Sequence, residues 1–408
     1  MLRLLHCADI HLDTPLTAED LENADVRRAE LRNAFSSMML YVKQNGIRIL
    51  LIAGDLFSHA FLTKETAAHI RREFASVPDC QIFIAPGNHD FYTPDCLYAT
   101  ASLSDNVHVF TSEKPQSFTV TVSDDTDTPV TAEIWGFANT AAVMNGYEPL
   151  AGLRIREKAH GTHRIFVGHA ALSSSTGEDA PESDRAPVVT KEQLARAGFD
   201  YCALGHYHTS DGIRRVSASS AHGAPRITYY GYAGCLVGRG FSEPGLKGAI
   251  TGTLGFDANG ASVFSPRRLR ITRRRYECLE CSLDGMHAER VTESAVAAYL
   301  AQCVKDAVEQ GVLTAPDRDT ALRLTVTGTL PADLLLTEEA VLAALAPLAS
   351  LSLIDHTVPS DVSALAEDPT LRGAYYHALS DALSSKDPAL HDAAVLALRL
   401  GLQEFKHK

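Results

Sequence analysis

The chain has 408 residues, of which 45% are hydrophobic and 21% charged, a composition typical of a globular protein with a large core and more than one domain. No apolar stretch approaches the roughly 18 residues of a membrane span, and the N-terminus leads straight into a strand-like run, which predicts a cytoplasmic protein. The formal net charge of −13 argues against binding nucleic acid by bulk charge alone, although it does not exclude a nuclease.

The N-terminal part of the chain alternates between strand-like and helix-like patterns. Largely apolar runs at 2–5, 49–53 and 81–84 are typical of buried parallel strands. Apolar residues three and four apart across 31–42 and 67–77 predict amphipathic helices between those strands. Further apolar or alternating runs predict strands at 107–110, 118–122, 132–137, 165–167 and 201–204.

Five of these runs end in polar residues of the types that bind metal ions. The residues that follow the runs are Asp9, His11, Asp55, Asn88, His169, His206 and His208. Ligands of open α/β sheets lie beyond the carboxyl ends of the strands, so we expect one shared site. Imidazole, carboxylate and amide ligands suit manganese, iron, zinc or cobalt. Seven ligands are too many for one ion but fit two ions about 3.5 to 4 Å apart, bridged by a carboxylate.

The order of these short motifs carries more information than any one of them. Five motifs follow one another along the chain, each after an apolar run: Asp-x-His, Gly-Asp, Gly-Asn-His-Asp, Gly-His and Gly-His-x-His. This ordered set resembles the calcineurin-like metallophosphoesterases. The resemblance implies an α/β fold in which a two-sheet sandwich is flanked by helices.

The resemblance also implies a role for each residue. It assigns Asp9, His11, Asp55 and His208 to one ion and Asp55, Asn88, His169 and His206 to the other, with Asp55 as the bridge. His89 would protonate or electrostatically stabilise the leaving oxygen. Asp90 and Ser58 would support the site. Many relatives carry Asp or His at the position of Ser58, and a serine cannot hold an imidazolium by charge, so the same reaction is expected at a lower rate.

A later stretch narrows the resemblance. The Gly-rich turn within 229–239 leads to Glu-x-Gly-x-Lys-Gly at 243–248, although Ala233 replaces the proline that usually precedes the turn glycine. This block resembles the SbcD-type DNA repair exonuclease subunits, and more closely their short YhaO-like branch. The resemblance implies two divalent ions, with Mn²⁺ favoured over Zn²⁺ or Fe²⁺. It also implies DNA as substrate, an SbcC-like coiled-coil ATPase as partner, and the option of a homodimer.

The pattern predicts three regions. The resemblance identifies residues 1–270 as the nuclease domain, 271–360 as a small α/β capping domain, and 361–408 as a helical segment that docks the partner. Asp-Pro pairs at 368–369 and 387–388 predict the starts of two terminal helices.

Several features allow two interpretations. Arg268, Arg270, Arg273 and Arg275 form either a solvated strand edge or a stripe that contacts DNA phosphates. Polar residues 173–181 are either a lid beside the metals or disordered. Cys278 and Cys281 are expected on opposite faces of a strand as reduced packing residues, rather than in a zinc knuckle.

The terminal helix repeats apolar residues at coiled-coil spacing. These residues are Val395, Leu398, Leu402 and Phe405, and Leu396 and Leu400 add a second apolar face. Such a helix must be covered, either by its own domain or by another chain.

Besides the DNA phosphodiesterase, two other functions remain open: an enzyme acting on a nucleotide or phosphoprotein, and a DNA-end-binding scaffold with weak catalysis.

Overall fold

The structure is a computed structural model that describes residues 1–14, 24–173, 185–220, 223–288, 290–345 and 347–405. The chain divides into two compact units, Met1–Thr272 and Arg273–Lys408. The residues predicted as a separate segment, 361–408, lie within the second unit. Most of the predicted lid, 174–181, lies outside the described residues. No helix in the described ranges combines the length and apolarity needed to cross a membrane.

The first unit contains the strands β1 Leu2–Cys7, β2 Ile49–Ile52, β3 Gln81–Ile84, β4 Val107–Val109, β5 Gln116–Ser123, β6 Pro129–Gly136, β7 His163–His169, β8 Ala171–Ser173, β9 Val188–Thr190, β10 Tyr201–Gly205, β11 Arg214–Ser220, β12 Gly223–Tyr232, β13 Ala249–Phe256 and β14 Ser262–Leu269. Its helices are α1 Ala24–Gln44, α2 Lys64–Ala75, α3 Leu97–Thr100 and α4 Lys191–Ala197. Each run predicted as a strand forms a strand. The helix patterns at 31–42 and 67–77 correspond to α1 and α2.

Two six-stranded sheets face each other in this unit. One has the strand order β14-β13-β1-β2-β3-β4, and the other β11-β12-β10-β7-β6-β5. Alternate side chains of β1 divide between two cores. Leu4 packs between the sheets with Ile134 and Val167, whereas Leu5 packs against helix residues such as Phe35. This arrangement confirms the predicted α/β sandwich flanked by helices.

A buried histidine joins the two sheets. His6 of β1 is fully buried, and its Nε2 lies 3.1 Å from the carbonyl oxygen of Leu204 in β10. A carbonyl can only accept, so Nε2 carries the proton and Nδ1 accepts from the Tyr201 hydroxyl at 2.7 Å. Burial lowers the pKa of His6 to about 3, so the ring stays neutral in the folded protein.

This neutral histidine makes stability depend on pH in a predictable direction. The unfolded chain protonates His6 below about pH 6.5 whereas the folded chain does not, so folding stability falls as the pH drops towards 3. The contribution of His6 should decrease by about 2 kcal/mol between pH 7 and pH 5. The free energies of unfolding of the metal-free protein and of metal-free His6→Asn, measured in urea at pH 7 and pH 5, give this contribution. If the difference between the two free energies does not decrease at pH 5, the neutral state assigned to His6 is wrong.

The second unit is a small α/β structure. Its strands are β15 Arg275–Ser282, β16 Thr320–Thr327, β17 Thr329–Pro331, β18 Ser350–Asp355 and β19 Val358–Ser360. Its helices are α5 Glu293–Glu309, α6 Glu338–Ala344, α7 Val362–Ala366, α8 Leu371–Leu383 and α9 Pro388–Glu404. Strands β15, β16 and β18 form a parallel sheet, which α5 and α6 join through a shared apolar core. Cys278 is exposed and Cys281 buried, as their odd spacing on β15 predicts.

The terminal helices differ in how well the sequence predicted their starts. Helix α9 begins at Pro388, and the Asp387 side chain caps it by accepting from the amide of Ala389 at 3.0 Å. Helix α8 begins at Leu371 instead of Pro369, because the hydroxyl of Thr370 accepts from the amide of Arg372 and supplies the cap.

The apolar seam of α9 packs on its own unit. Leu398 and Leu402 are fully buried in a cluster with Ala332 and Leu365. The guanidinium of Arg399, on the same helix, is 2% exposed, pairs with Asp355 and donates to the hydroxyl of Thr357 at 2.6 Å. This is the arrangement in which the helix folds back on its own domain. The second apolar face differs, because Leu396 and Leu400 are 50% and 47% exposed.

Candidate metal centre

The predicted site residues come from two sheets. Strands β1, β2 and β3 of one sheet deliver Asp9, His11, Asp55 and Asn88, and strands β7 and β10 of the other deliver His169, His206 and His208. The carboxyl ends of the two sets of strands meet at one edge of the sandwich. The sequence did not predict this division, because each strand end looks the same whichever sheet contains it.

One group of ligand atoms gathers around His11 and His208. Their Nε2 atoms lie 3.2 Å apart, and Nε2 of His208 is 3.8 Å from Oδ1 of Asp9. Two nitrogens about 2.0 to 2.1 Å from one ion lie about 3 Å apart, so the separation suits a shared ion. Potential ligand atoms of Asp9, His11 and His208 all lie within 4.8 Å of one another. We call this group the first position.

A second group gathers around His169. Its Nδ1 lies 3.0 Å from the carbonyl oxygen of Ala53 and therefore donates to it, which leaves the Nε2 lone pair for a ligand. This Nε2 lies 2.8 Å from Oδ1 of Asn88 and 3.5 Å from Oδ2 of Asp55. The ring of His206 lies beside it, with 5.2 Å between the ring centroids. We call this group the second position.

Asp55 lies between the two positions. Its Oδ2 is 3.6 Å from Nε2 of His11 and 3.5 Å from Nε2 of His169. Its Oδ1 accepts from the backbone amide of His89 at 2.8 Å, which fixes the carboxylate. The close approach depends on Gly87, because a Cβ at that residue would lie 2.3 Å from Oδ1 of Asp55. A carboxylate held in this way suits a bridge between two ions.

The electrostatics of the site also favour bound cations. Burial and the neighbouring Asp55 carboxylate raise the pKa of Asp9, since two buried negative charges repel each other. Burial lowers the pKa of His169 to about 4 and that of His11 well below its ordinary value, so both rings are neutral at pH 7. Neutral imidazole is the form that binds metals, and divalent ions would compensate the carboxylates.

The backbone at the site is strained. Asp9, His11 and Asp55 have φ angles of 50°, 53° and 53°, in the left-handed region that non-glycine residues rarely adopt. His206 has a φ of 116°. Such strain costs about 1 to 3 kcal/mol per residue and concentrates at functional sites, where the surrounding structure maintains it. The strain turns side chains from consecutive loops into one small volume.

His89 lies at the exposed rim of the site. Its ring centroid is 4.9 Å from that of His11, and one of its ring nitrogens lies within 4.8 Å of ligand atoms of His11 and Asp55. Ser58 is buried and its hydroxyl pairs with that of Thr14. His59 supports His89 through the main chain, since its amide donates to the carbonyl of His89 at 2.9 Å.

Asp90 links the loops that carry the ligands. This buried carboxylate accepts from the amides of Asp55, Leu56 and Gly87 at 3.0, 2.8 and 2.6 Å, and from the hydroxyl of Tyr98 at 2.6 Å. Its role is to hold the loop after β2 against the loop after β3. The motif identified Asp90 as a supporting residue, but only the structure shows which backbone groups it binds.

The predicted arginine stripe divides between different environments. Arg275 is 2% exposed and forms ion pairs with Glu277 and Asp317. Because it is buried in its own unit, it is not a candidate for DNA contact. Arg268 is exposed overall and donates to the carbonyl of Ala233, and Arg270 donates to the carbonyl of Thr272.

The residues present fit two divalent ions. Each position offers neutral imidazole together with carboxylate or amide oxygen, and Asp55 is shared. Divalent ions held here would supply the positive charge that activates water and neutralises phosphoryl oxygens. The residues themselves would position the ions, and the exposed imidazole of His89 would lie beside them.

Comparisons with known proteins agree with this chemistry. The chain is 26% identical over 252 residues to the uncharacterized metallophosphoesterase YhaO of Bacillus subtilis, covering 60% of this chain and 56% of that protein. It is 22% identical over 240 residues to the DNA double-strand break repair protein Mre11 of Methanopyrus kandleri, covering 54% and 47%. The chain therefore spans about half the length of the curated relatives it matches.

A solved structure and a family model complete the comparison. The crystal structure of the calcineurin-like phosphoesterase YfkN from Bacillus subtilis has a TM-score of 0.33 and 13% identity, covering 76% of this chain and 99% of that one. The model of the calcineurin-like phosphoesterases matches residues 2–210, which include every predicted metal ligand. The chain belongs to the calcineurin-like phosphoesterase family.

Proposed function

We propose that this protein is a two-metal phosphodiesterase that cleaves DNA, acting as a repair nuclease subunit, with Mn²⁺ as the first candidate for both ions. The observation that carries the proposal is the position of Asp55. Its Oδ2 lies almost equally far from a histidine nitrogen of each position, at 3.6 and 3.5 Å. Two ions sharing a carboxylate suit the in-line displacement of a phosphoester oxygen.

In this proposal the chain's own residues perform three tasks. The ligands hold the ions, and Asp90 keeps their loops together. His89, exposed at the rim, donates a proton to the leaving oxygen or stabilises its charge. The Asp55 carboxylate contributes twice, because it bridges the ions and also fixes the backbone amide of His89.

DNA as the substrate is supported by the sequence resemblance to SbcD-type subunits and by the similarity to an Mre11 protein named for DNA double-strand break repair. The second unit also favours a large substrate, because a minimal phosphatase does not need it. The other candidate is a nucleotide or phosphoprotein phosphoesterase, which would use the same ions on a smaller or different ester.

Three substrates distinguish these candidates. With Mn²⁺ present, we expect hydrolysis of bis-p-nitrophenyl phosphate and of end-labelled linear DNA, and little hydrolysis of p-nitrophenyl phosphate. EDTA should abolish both reactions. Efficient hydrolysis of the monoester with DNA left intact would favour the alternative and overturn the DNA proposal.

Arg268 and Arg270, at the end of the first unit, and Arg273, the first residue of the second, are proposed to contact DNA phosphates. Replacing Arg268, Arg270 and Arg273 with Gln should weaken binding to unrelated DNA sequences equally and reduce the salt dependence of the binding constant. Turnover of bis-p-nitrophenyl phosphate should remain, since these side chains are not ligands. Fluorescence anisotropy across a salt series measures the effect. An unchanged salt slope would identify the cluster as a solvated strand edge.

An SbcC-like coiled-coil ATPase is the proposed partner, with the exposed face of α9 as its contact. Replacing both Leu396 and Leu400 with Glu should prevent co-elution with the ATPase, because an apolar contact would have to bury two charges. The melting temperature should change little, since both side chains are half-exposed. Lys386→Glu, an exposed charge change outside this face, is the control. Co-elution that survives the double substitution would exclude this face.

A further inference from the structure

A groove of about 400 Å³ lies in the first unit, between the end of α1 and the outer strands of the sheet β14-β13-β1-β2-β3-β4. Its volume is within the range of about 300 to 1,000 Å³ that is typical of small-ligand sites. Arg3 lines the groove at the start of β1, whereas Asp9 follows the end of that strand. Six residues of strand span roughly 20 Å, so the groove is separate from the metal centre.

Strand pairing brings two arginines to the same face of this sheet. Arg3 of β1 is opposite Thr253 of β13, and Arg267 of β14 is opposite Thr251 of β13. Opposite residues share a face, and so do residues two apart on one strand. With strands about 4.8 Å apart and about 3.3 Å per residue, the Cα atoms of the two arginines lie about 12 Å apart across β13. Both guanidinium groups can therefore reach a ligand that lies on β13.

The positive charge of the groove is not balanced by acidic residues. Among the described residues that line it, none is Asp or Glu. Arg267 is exposed, and within the described part of the chain its side chain forms no ion pair or hydrogen bond. Arg3 uses Nη1 to donate to the carbonyl of Asn45 at 3.0 Å, and a guanidinium has five N–H donors in all. Most of the donors of both arginines therefore remain for a ligand.

Stabilisation of the end of α1 explains only part of this arrangement. The C-terminal end of a helix is partially negative, and a nearby arginine stabilises it. Asn45 follows the last residue of α1, so the hydrogen bond from Arg3 satisfies one carbonyl there. Arg267 lies on β14, two strands away from β1, and the helix end does not account for its position.

Neutral donors line the same space. The hydroxyls of Tyr41, Thr253 and Ser265 border the groove, and over the described ranges none of the three has a hydrogen-bond partner in the protein. The hydroxyl of Thr251 differs, because it donates to the carbonyl of Leu4 at 3.1 Å. Guanidinium forks together with hydroxyl donors match the oxygens of a phosphate group, which is a multivalent acceptor.

We propose that this groove is an anion site that binds the phosphate group of a small molecule between Arg3 and Arg267. The ligand is either free phosphate or a small phosphate ester, whose organic part would occupy the rest of the groove. This inference goes beyond the proposed function and depends neither on metal ions nor on the reaction at the metal centre.

Calorimetric titration in the presence of EDTA tests the proposal. Without divalent ions the metal centre lacks the charge that would attract phosphate, so binding reports on the groove. Inorganic phosphate and thymidine monophosphate should each bind to one site, and thymidine should not bind. Tighter binding of thymidine monophosphate than of phosphate would identify the ligand as an ester, whereas equal binding would identify it as free phosphate.

Substitutions of the two arginines locate the site. Arg267→Gln should weaken binding of the phosphate ligands about 10-fold, because it removes charge-assisted hydrogen bonds. The double substitution with Arg3→Gln should weaken it about 100-fold. Arg267→Lys keeps the charge but not the fork, so its effect should be smaller than that of Arg267→Gln. Arg71→Gln, which removes an exposed arginine of α2 that does not line the groove, is the matched control.

Three results would overturn the proposal. The first is that neither phosphate ligand binds at millimolar concentration, and the second is that thymidine binds as tightly as its monophosphate. The third is that Arg267→Gln, with an unchanged melting temperature, binds phosphate like the unmodified protein. An oligothymidylate without terminal phosphates that binds in an Arg267-dependent manner, while thymidine monophosphate does not, would also overturn it and assign the groove to a DNA surface.

Discussion

Replacing Asp55 with Asn should remove most of the bound metal and abolish hydrolysis of bis-p-nitrophenyl phosphate. Both positions share Oδ2 of this side chain, and the substitution removes one of the negative charges that hold two dications. Asn keeps an acceptor for the amide of His89, so the loop should remain folded. Metal content by elemental analysis, together with the hydrolysis rate, measures the effect.

Asp13→Asn provides the comparison for this variant. Asp13 is also buried and also has a positive φ, of 62°, but it accepts from Thr63 and Thr66. Its neutralisation should cost stability while two ions remain bound. If Asp55→Asn retained two ions at the affinity of the unmodified protein, Asp55 would not be the bridge.

Replacing His89 with Asn should produce the opposite pattern. Metal content should stay near two ions per chain, because the seven predicted ligands remain. Hydrolysis should decrease by about 10² to 10⁴, the usual contribution of a general acid. The effect should be largest for substrates with poor leaving groups such as DNA, since a p-nitrophenolate needs less protonation.

The metal content of this variant decides between two roles. A ring nitrogen of His89 lies within 4.8 Å of ligand atoms of His11 and Asp55, which is also compatible with a metal ligand. If His89→Asn loses one ion, His89 is a ligand and the general-acid role is wrong. His59→Asn is the control, because it keeps the main-chain hydrogen bond to His89 and should leave both metal content and rate almost unchanged.

Local sequence determined much of this protein. Largely apolar runs predicted the central strands, because a strand buried on both faces needs apolar side chains at most positions. The polar residues that follow those runs supplied the candidate metal ligands, because polar groups at the end of a buried strand need a partner there. Asp387 and Pro388 predicted the start of α9 for an equally local reason, since the cap lies next to the helix it caps.

Contacts between distant segments were decided by the tertiary structure alone. The sequence could not show that the ligands come from two sheets, that Glu243 holds His208, or that Arg275 is buried. Each of these facts depends on which segments become neighbours, and that depends on the packing of the whole unit. A charged residue has the same identity in the sequence whether it faces solvent or a buried counter-charge, so only the fold determines what it does.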